Sequence, residues 1–196
     1  SYAGIGRSHV NPLSAGGFSV SYFALGTFFD QHDPNTISTQ FKNFESYRST
    51  ISNRLAQFYG QDIGPAGGYA KGYGKYAQDV LLPSFLAAYT GESKDKVHLV
   101  DQTNRSIKSN PFSFILPKPN WNVVYNGLSK VPFFSEFFTN ITLSHGYNGN
   151  LSMNNFTSSL LYASTYINGR SVPSFMDTIS KNYVPYFLIP NITISE

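Results

Sequence analysis

Residues 141–147, ITLSHGY, alternate strictly between bulky and small side chains. Successive side chains of an extended strand go to opposite faces. Ile141, Leu143, His145 and Tyr147 therefore share one face, and Thr142, Ser144 and Gly146 share the other. The first face is mostly apolar and the second is small and polar. Two environments suit such a strand. In a water-soluble sheet the apolar face packs on a core and the polar face meets water. In an outer-membrane barrel the apolar face meets lipid and the small polar face lines a lumen. Period two does not separate them. Phe133, Phe134, Phe137 and Phe138 lie just upstream, and they lean toward the second reading, because barrels carry aromatic girdles at both interfaces.

Composition narrows the field. Charged residues are 13% of the chain, about half the usual share. There are 17 Phe and 14 Tyr against one Trp, a low-charge, Tyr-rich character common to outer-membrane barrels and secreted β-proteins. Net charge is +3 and no two basic residues are adjacent, which speaks against a nucleic-acid partner. No window approaches the roughly 18 apolar residues of a spanning helix. The absence of cysteine excludes disulfides and thiolate metal sites. The 196 residues lack an initiator Met and read as an excerpt from a longer protein, so the lack of a signal peptide says nothing of compartment.

Along the chain, residues 1–16 read as loop, and Phe18–Phe29 as a strand that from Phe23 on is either buried on both sides or bulged near Gly26. Asp33-Pro34 looks like a helix start, with Asn35 or Thr36 as other caps. Ile37, Phe41, Phe44, Arg48, Ile51, Leu55 and Phe58 follow at helical spacing, which predicts a helix over 35–59 ended by Gly60. Residues 60–76 are Gly-rich. They fail the phosphate-loop pattern at both ends, since Lys75 is followed by Tyr76 and the first Gly position holds Tyr69. They read as a close-packed loop anchored by Tyr. A second helix is predicted over 78–90, with Pro83 tolerable only in its first turn and Gly91 as the stop. Residues 92–110 carry much of the charge and read as an exposed loop. Asn148-Gly149 signals a hairpin with a return strand over 151–158. Residues 157–182 are ambiguous. Alternation resumes over 183–195, interrupted by Pro185 and Pro190.

Several runs carry a resemblance: Leu116-Pro117-x-Pro119-Asn120-Trp121, Tyr125-x-Gly127-Leu128-Ser129-Lys130 and Leu143-Ser144-His145-Gly146-Tyr147. They are joined by Tyr76–Tyr89 and Ile189–Glu196, in order over most of residues 41–196. The chain resembles the SprA family, the gliding-motility and type IX secretion translocons of the outer membrane of Bacteroidota. Residues 148–182 contribute nothing to the likeness. The resemblance implies a very large antiparallel transmembrane β-barrel that exports folded cargo proteins bearing a type IX C-terminal signal. It implies outer-membrane lipid around the wall, a PorV-like outer-membrane protein and a periplasmic plug protein as partners, and an energy source outside the chain.

Candidate chemistry is sparse. His9, His32, His98 and His145 show no ligand spacing. Asp62, Asp79 and Glu136 are potential acids or bases, but solvated or helix-capping carboxylates are the default. No Gly-x-Ser-x-Gly elbow exists. Asn140, Asn150, Asn155 and Asn191 head Asn-x-Ser/Thr sequons, expected by chance in so Asn- and Ser-rich a chain. Arg48 interrupts an apolar helix face, where it either snorkels or forms a hydrogen-bonded pair. No catalytic, cofactor or metal residue is therefore assigned, and no enzyme is expected.

These readings predict a mainly β fold with a helical insertion, part of one larger antiparallel transmembrane barrel. Residues 1–32 would hold a strand and its flanking loop, 33–110 the helical and Gly-rich insertion, and 111–196 further strands. Wall strands are expected at 18–29, 119–126, 139–147, 151–158 and 184–195. The alternative is a secreted or surface-bound β-rich module that binds sugar or peptide through its Tyr residues.

Overall fold

Ser38 opens the first helix. The structure, a computed structural model, describes residues 15–21, 36–100 and 119–195. Helix α1 spans Thr39–Phe58, and Ser38 Oγ accepts the Phe41 N–H at 3.2 Å. That satisfies one of the donors which every helix start leaves open. The expected start at 35 is thus too early: residues 36–38 are not helical, while Asp33 and Asn35 lie outside the described residues. Gly60 ends α1 as expected. Its φ is +68°, and the Gly60 and Gln61 N–H groups bond the Gln57 and Ala56 carbonyls at 3.1 and 2.8 Å, closing the end as a Schellman motif. Only the C-terminal half of the predicted apolar face is covered. Ile51, Ser52, Leu55 and Ala56 are buried, whereas Ile37, Phe41 and Phe58 are exposed.

The Gly-rich segment folds back along α1 because α1 supplies its hydrogen bonds. Buried Ser52 donates to the Tyr73 carbonyl at 2.6 Å and accepts from the Ala70 N–H at 2.9 Å. Asn53 Oδ1 takes the Gly64 N–H at 2.8 Å. Tyr73 is fully buried, stacked on Tyr59 and tilted against Tyr183. Burial raises its phenol pKa far above the ordinary value, as do the neighbouring Tyr59 and Asp79. Gly72 sits at φ +83°, where a Cβ would fall 2.2 Å from the Tyr183 ring, so glycine is required twice over.

Helix α2, Gln78–Thr90, packs against α1. Pro83 is its sixth residue, beyond the first turn. Its ring is buried in the core, and Ser84 Oγ bonds the Val80 carbonyl at 2.6 Å in the same turn. Gly91, at φ +71°, stops the helix. Of the loop expected over 92–110, the described part, 92–100, is irregular and mostly exposed, with two buried anchors, and 101–110 lie outside the described residues. Val97 and Val100 are buried, because Arg54 donates to the Lys94 and Val97 carbonyls at 2.7 and 2.8 Å and holds the turn against α1. Desolvation there lowers the Arg54 pKa.

Among the described residues one strand precedes these helices and seven follow them, in three antiparallel sheets. In the first sheet, β1 (Ala15–Ser21) and β8 (Asn191–Ser195) flank β4 (Asn150–Ser158), with β7 (Phe187–Leu188) beside the far end of β4. β1 thus begins inside the expected loop, and residues 22–29 lie outside the described residues. The predicted strand over 184–195 is cut in two at Ile189-Pro190. Val20, Leu151 and Met153 face α1 and α2 and share one core with Ile51, Leu55, Val80 and Leu86. Ser19, Ser152 and Thr193 take the other face. A bulge opposite Gly17 places Asn155 at φ +58° and resets the alternation, so Phe156 and Ser158 are buried. Phe156 joins Tyr162, Tyr186 and Phe187 in a second small core. These strands were expected to turn their apolar side toward lipid. The helices cover that side instead, and no barrel closes among the described residues.

β2 (Trp121–Tyr125) and β3 (Leu143–Tyr147) form a separate ribbon, and β5 (Ser164–Ile167) and β6 (Arg170–Pro173) a hairpin. The hairpin predicted at Asn148-Gly149 does not form: β3 pairs with β2, and β4 pairs elsewhere. A two-residue type I′ turn needs positive φ at both positions. Neither Asn148 nor Gly149 has it, but Asn168 (φ 50°) and Gly169 (φ 77°) do, and they join β5 to β6. Arg170, just past that turn, donates to the Phe58 carbonyl and lies 4.7 Å over the Phe58 ring. A cation at the end of α1 is favoured by the helix dipole.

One side chain joins helix to sheet edge. Gln78 Nε2 donates to the Phe187 carbonyl at 2.6 Å, and Gln78 Oε1 accepts the Ile189 N–H at 2.8 Å. The amide thus imitates the peptide group of a neighbouring strand.

Candidate functional site

Asn120 sets the base of the β2–β3 ribbon. Its Nδ2 donates to Asn148 Oδ1 at 2.8 Å, and its Oδ1 accepts the Gly149 N–H at 3.1 Å. Asn148-Gly149 is engaged across the ribbon instead of turning the chain. Opposed pairs on an antiparallel ribbon share a face. Trp121 and Tyr147, Val123 and His145, and Tyr125 and Leu143 form the bulky face. Asn122 with Gly146 and Val124 with Ser144 form the other. Trp121 stacks on Tyr147 at 4.9 Å and on His145 at 6.0 Å, and its indole N–H donates to His145 Nδ1 at 2.9 Å.

The two strands are joined by a 3₁₀ turn, Leu128–Lys130, and a one-turn helix α3, Pro132–Ser135. Pro132 begins α3 at the position where its missing N–H costs nothing. Gly127 leaves room for the Tyr125 ring, whose hydroxyl lies 2.5 Å from where a Cβ would be. Phe133 packs edge-on against Phe134 and tilted against Phe137. Among the described residues nothing apolar covers this cluster: Phe133 is 70% exposed, Phe137 72% and Phe138 55%. On the ribbon Val123 and Leu143 are each 57% exposed and Val124 is 55%. Among the described residues both faces of the ribbon are therefore open. A two-stranded ribbon without a covering layer is marginal in water, and so much apolar area in one place marks an interaction surface.

A second apolar feature is a groove of about 370 Å³ between α1, α2 and the β7–β8 edge, lined by Phe44, Leu81, Phe85, Ile189 and Ile192 among others.

The candidate chemical residues are not brought together. Asp79 is buried in the first turn of α2, Asp62 is exposed after α1, and Glu136 is exposed beside the Phe cluster. His98 Nδ1 lies 2.7 Å from the Leu99 carbonyl, while His145 is on the ribbon. His9 and His32 lie outside the described residues. Among the described residues no group of three or more His, Cys, Asp or Glu can hold a metal ion. Arg48 pairs with Glu45 at 3.2 Å and lies 5.2 Å over the Phe44 ring. An i,i+3 surface pair is worth about 0.3–0.5 kcal/mol, so its packing on Phe44 counts for as much. Of the sequons, Asn140 is exposed and precedes β3 instead of lying in a strand. Asn155 is at the bulge, and Asn150 and Asn191 are paired in β4 and β8.

No helix among the described residues is long and apolar enough to cross a membrane. No protein-family model matches the chain, and no curated protein matches it either.

Proposed function

We infer that this chain is a non-enzymatic segment of an outer-membrane β-barrel translocon of the type IX secretion and gliding-motility kind. The observation that carries this is the bare ribbon with its aromatic loop. Val123, Tyr125 and Leu143 form a bulky outward side next to Phe133, Phe137 and Phe138, as a wall strand beside an interfacial aromatic girdle would. The motif run from Pro119 to Tyr147 supports the same reading. In it the β2–β3 ribbon belongs to the wall, with its bulky side to hydrocarbon. The two helices and the sheet they cover form an inserted body beside or within the pore. Folded cargo with a type IX C-terminal signal passes by, a PorV-like protein and a periplasmic plug protein dock, and no bond is made or broken.

A second reading is favoured by a different observation. The first sheet has helices on its apolar side and Ser, Asn and Thr on the other, as in a soluble or surface-bound β-rich binding module.

Trp121 decides between them, because it is the sole tryptophan of the chain and sits on the ribbon. In bilayers whose acyl chains carry bromine, the wall reading expects strong quenching of Trp121 emission. Phe133→Ser with Phe137→Ser should weaken that quenching. A chain that is monodisperse without detergent, and whose Trp121 emission ignores brominated lipid, overturns the wall reading in favour of the module.

A further inference from the structure

The register of the ribbon puts Trp121 opposite Tyr147 and Val123 opposite His145. Trp121 and His145 are thus diagonal neighbours on the bulky face, a separation that aromatic side chains can bridge. They do bridge it. The Trp121 indole N–H donates to His145 Nδ1 at 2.9 Å, with the two rings 21° from parallel and 6.0 Å apart. Tyr147 stacks on the same indole at 4.9 Å. This side-chain hydrogen bond ties β2 to β3 in a ribbon whose strands have one partner each among the described residues.

The bond exists in one protonation state. An indole nitrogen has a hydrogen to give and no lone pair to accept with. Nδ1 must therefore offer its lone pair, which places the imidazole proton on Nε2. A proton arriving on Nδ1 turns the acceptor into a donor. Two N–H groups would then face each other at hydrogen-bond distance, so the contact must break. His145 is exposed, so water can deliver that proton, and histidine is the side chain suited to changing charge between pH 5 and 8. Facing His145, β2 contributes Val123 and Trp121, and β3 adds Tyr147 on the same side. Phenols keep their proton over this range. The connection between the strands carries Lys130 and Glu136. Lysines also keep their proton there, and a carboxylate is the other source of a step in acid.

We propose that Trp121 and His145 form a proton-operated latch on the ribbon. With His145 neutral, the indole N–H and Nδ1 satisfy each other and the strands are tied. With a proton on Nδ1 the tie is lost, and a positive charge stands on the bulky face beside Val123 and Tyr147. Acid thereby loosens the ribbon and weakens the hold of that face on any apolar surface, because a charge is costly to bury. The latch depends on the ribbon's geometry alone, and it operates whether lipid or protein covers the face.

The test reads the Trp121 indole N–H, the single indole signal of the chain. It uses NMR of the isotope-labelled full chain in a phosphocholine detergent, titrated from pH 8 to pH 5. The indole proton should move upfield in one step as its acceptor is lost. The His145 ring nitrogens should go from one proton to two over the same range. His145→Phe keeps a ring but offers no acceptor, so its indole signal should sit near the native acid position at every pH. His145→Gln offers an amide oxygen that does not titrate, so the step should vanish. Glu136→Gln should keep the step. Protection of the ribbon amides, corrected for the intrinsic pH trend, should fall about two- to tenfold across the step, while the central β4 amides hold. A native indole signal without a step overturns the latch. So does a step that survives in His145→Phe or His145→Gln or is lost in Glu136→Gln, and so do ribbon amides as protected at pH 5 as at pH 8.

Discussion

Ser52 does for the Gly-rich loop what a strand partner would do elsewhere. Its single hydroxyl serves a buried N–H at Ala70 and a buried carbonyl at Tyr73. Ser52→Ala leaves both without a partner and should destabilise the fold by about 2–3 kcal/mol, read as a lower urea midpoint at unchanged slope. Asp177 is a second residue with a defined local task. Its Oδ2 accepts the Ser180 N–H at 2.6 Å, and hydrogen bonds from Ser180 hold its pKa below the ordinary value. A carboxylate with a depressed folded pKa stabilises the fold above its unfolded pKa, and that contribution is lost as pH falls through the folded value. The turn carries Asn182, whose Oδ1 takes the Gly74 N–H at 2.8 Å. Amide exchange at Ser180 and Gly74 should therefore quicken as pH drops below about 4, beyond the intrinsic pH trend. In Asp177→Asn that step should be absent.

At the scale of elements, two Asn-Gly pairs show how far local sequence reaches. Asn168-Gly169 turns a hairpin at positive φ, and Asn148-Gly149 does not. Gly169→Ala should cost about 1–2 kcal/mol for its left-handed backbone, and calorimetry should show it in the global transition, because Val172 of the same hairpin is in the main core. The dipeptide alone marks both places as turns. Asn120, 28 residues upstream, redirects one of them, and no local pattern reports that. The first helix was legible because 3.6-residue periodicity persists over five turns, and the Gly60 and Gly91 ends of both helices because left-handed caps need glycine. The start of α1 was missed because Asp33-Pro34 is a stronger local signal than Ser38. Which side of a strand is covered was not legible. Leu151 with Met153 and Leu143 with His145 alternate alike, yet the first pair lies under helices and the second stands open.

For the whole molecule the division is between a helix-covered sheet and an uncovered ribbon. β4 is paired on both edges and supplies core residues on its inner side. The ribbon has one partner per strand among the described residues and no layer over either face. Local opening follows such differences. Hydrogen exchange in detergent-free dilute buffer should leave the central β4 amides protected longest and those of Val123, Val124 and Ser144 exchanging early. Placing the chain in bilayers should slow the ribbon amides many-fold and leave β4 nearly unchanged. Equal protection of the two sheets in water would mean that the ribbon does not depend on a partner surface.

The side-chain amide of Gln78 has a consequence for assembly. It fills the socket at Phe187 and Ile189 that an arriving strand would need, so this margin of the sheet is stoppered from within. Any added strand must instead zip onto Ala15–Ser21 or start beyond Pro190. A helix residue thereby closes one stretch of the sheet's edge to growth.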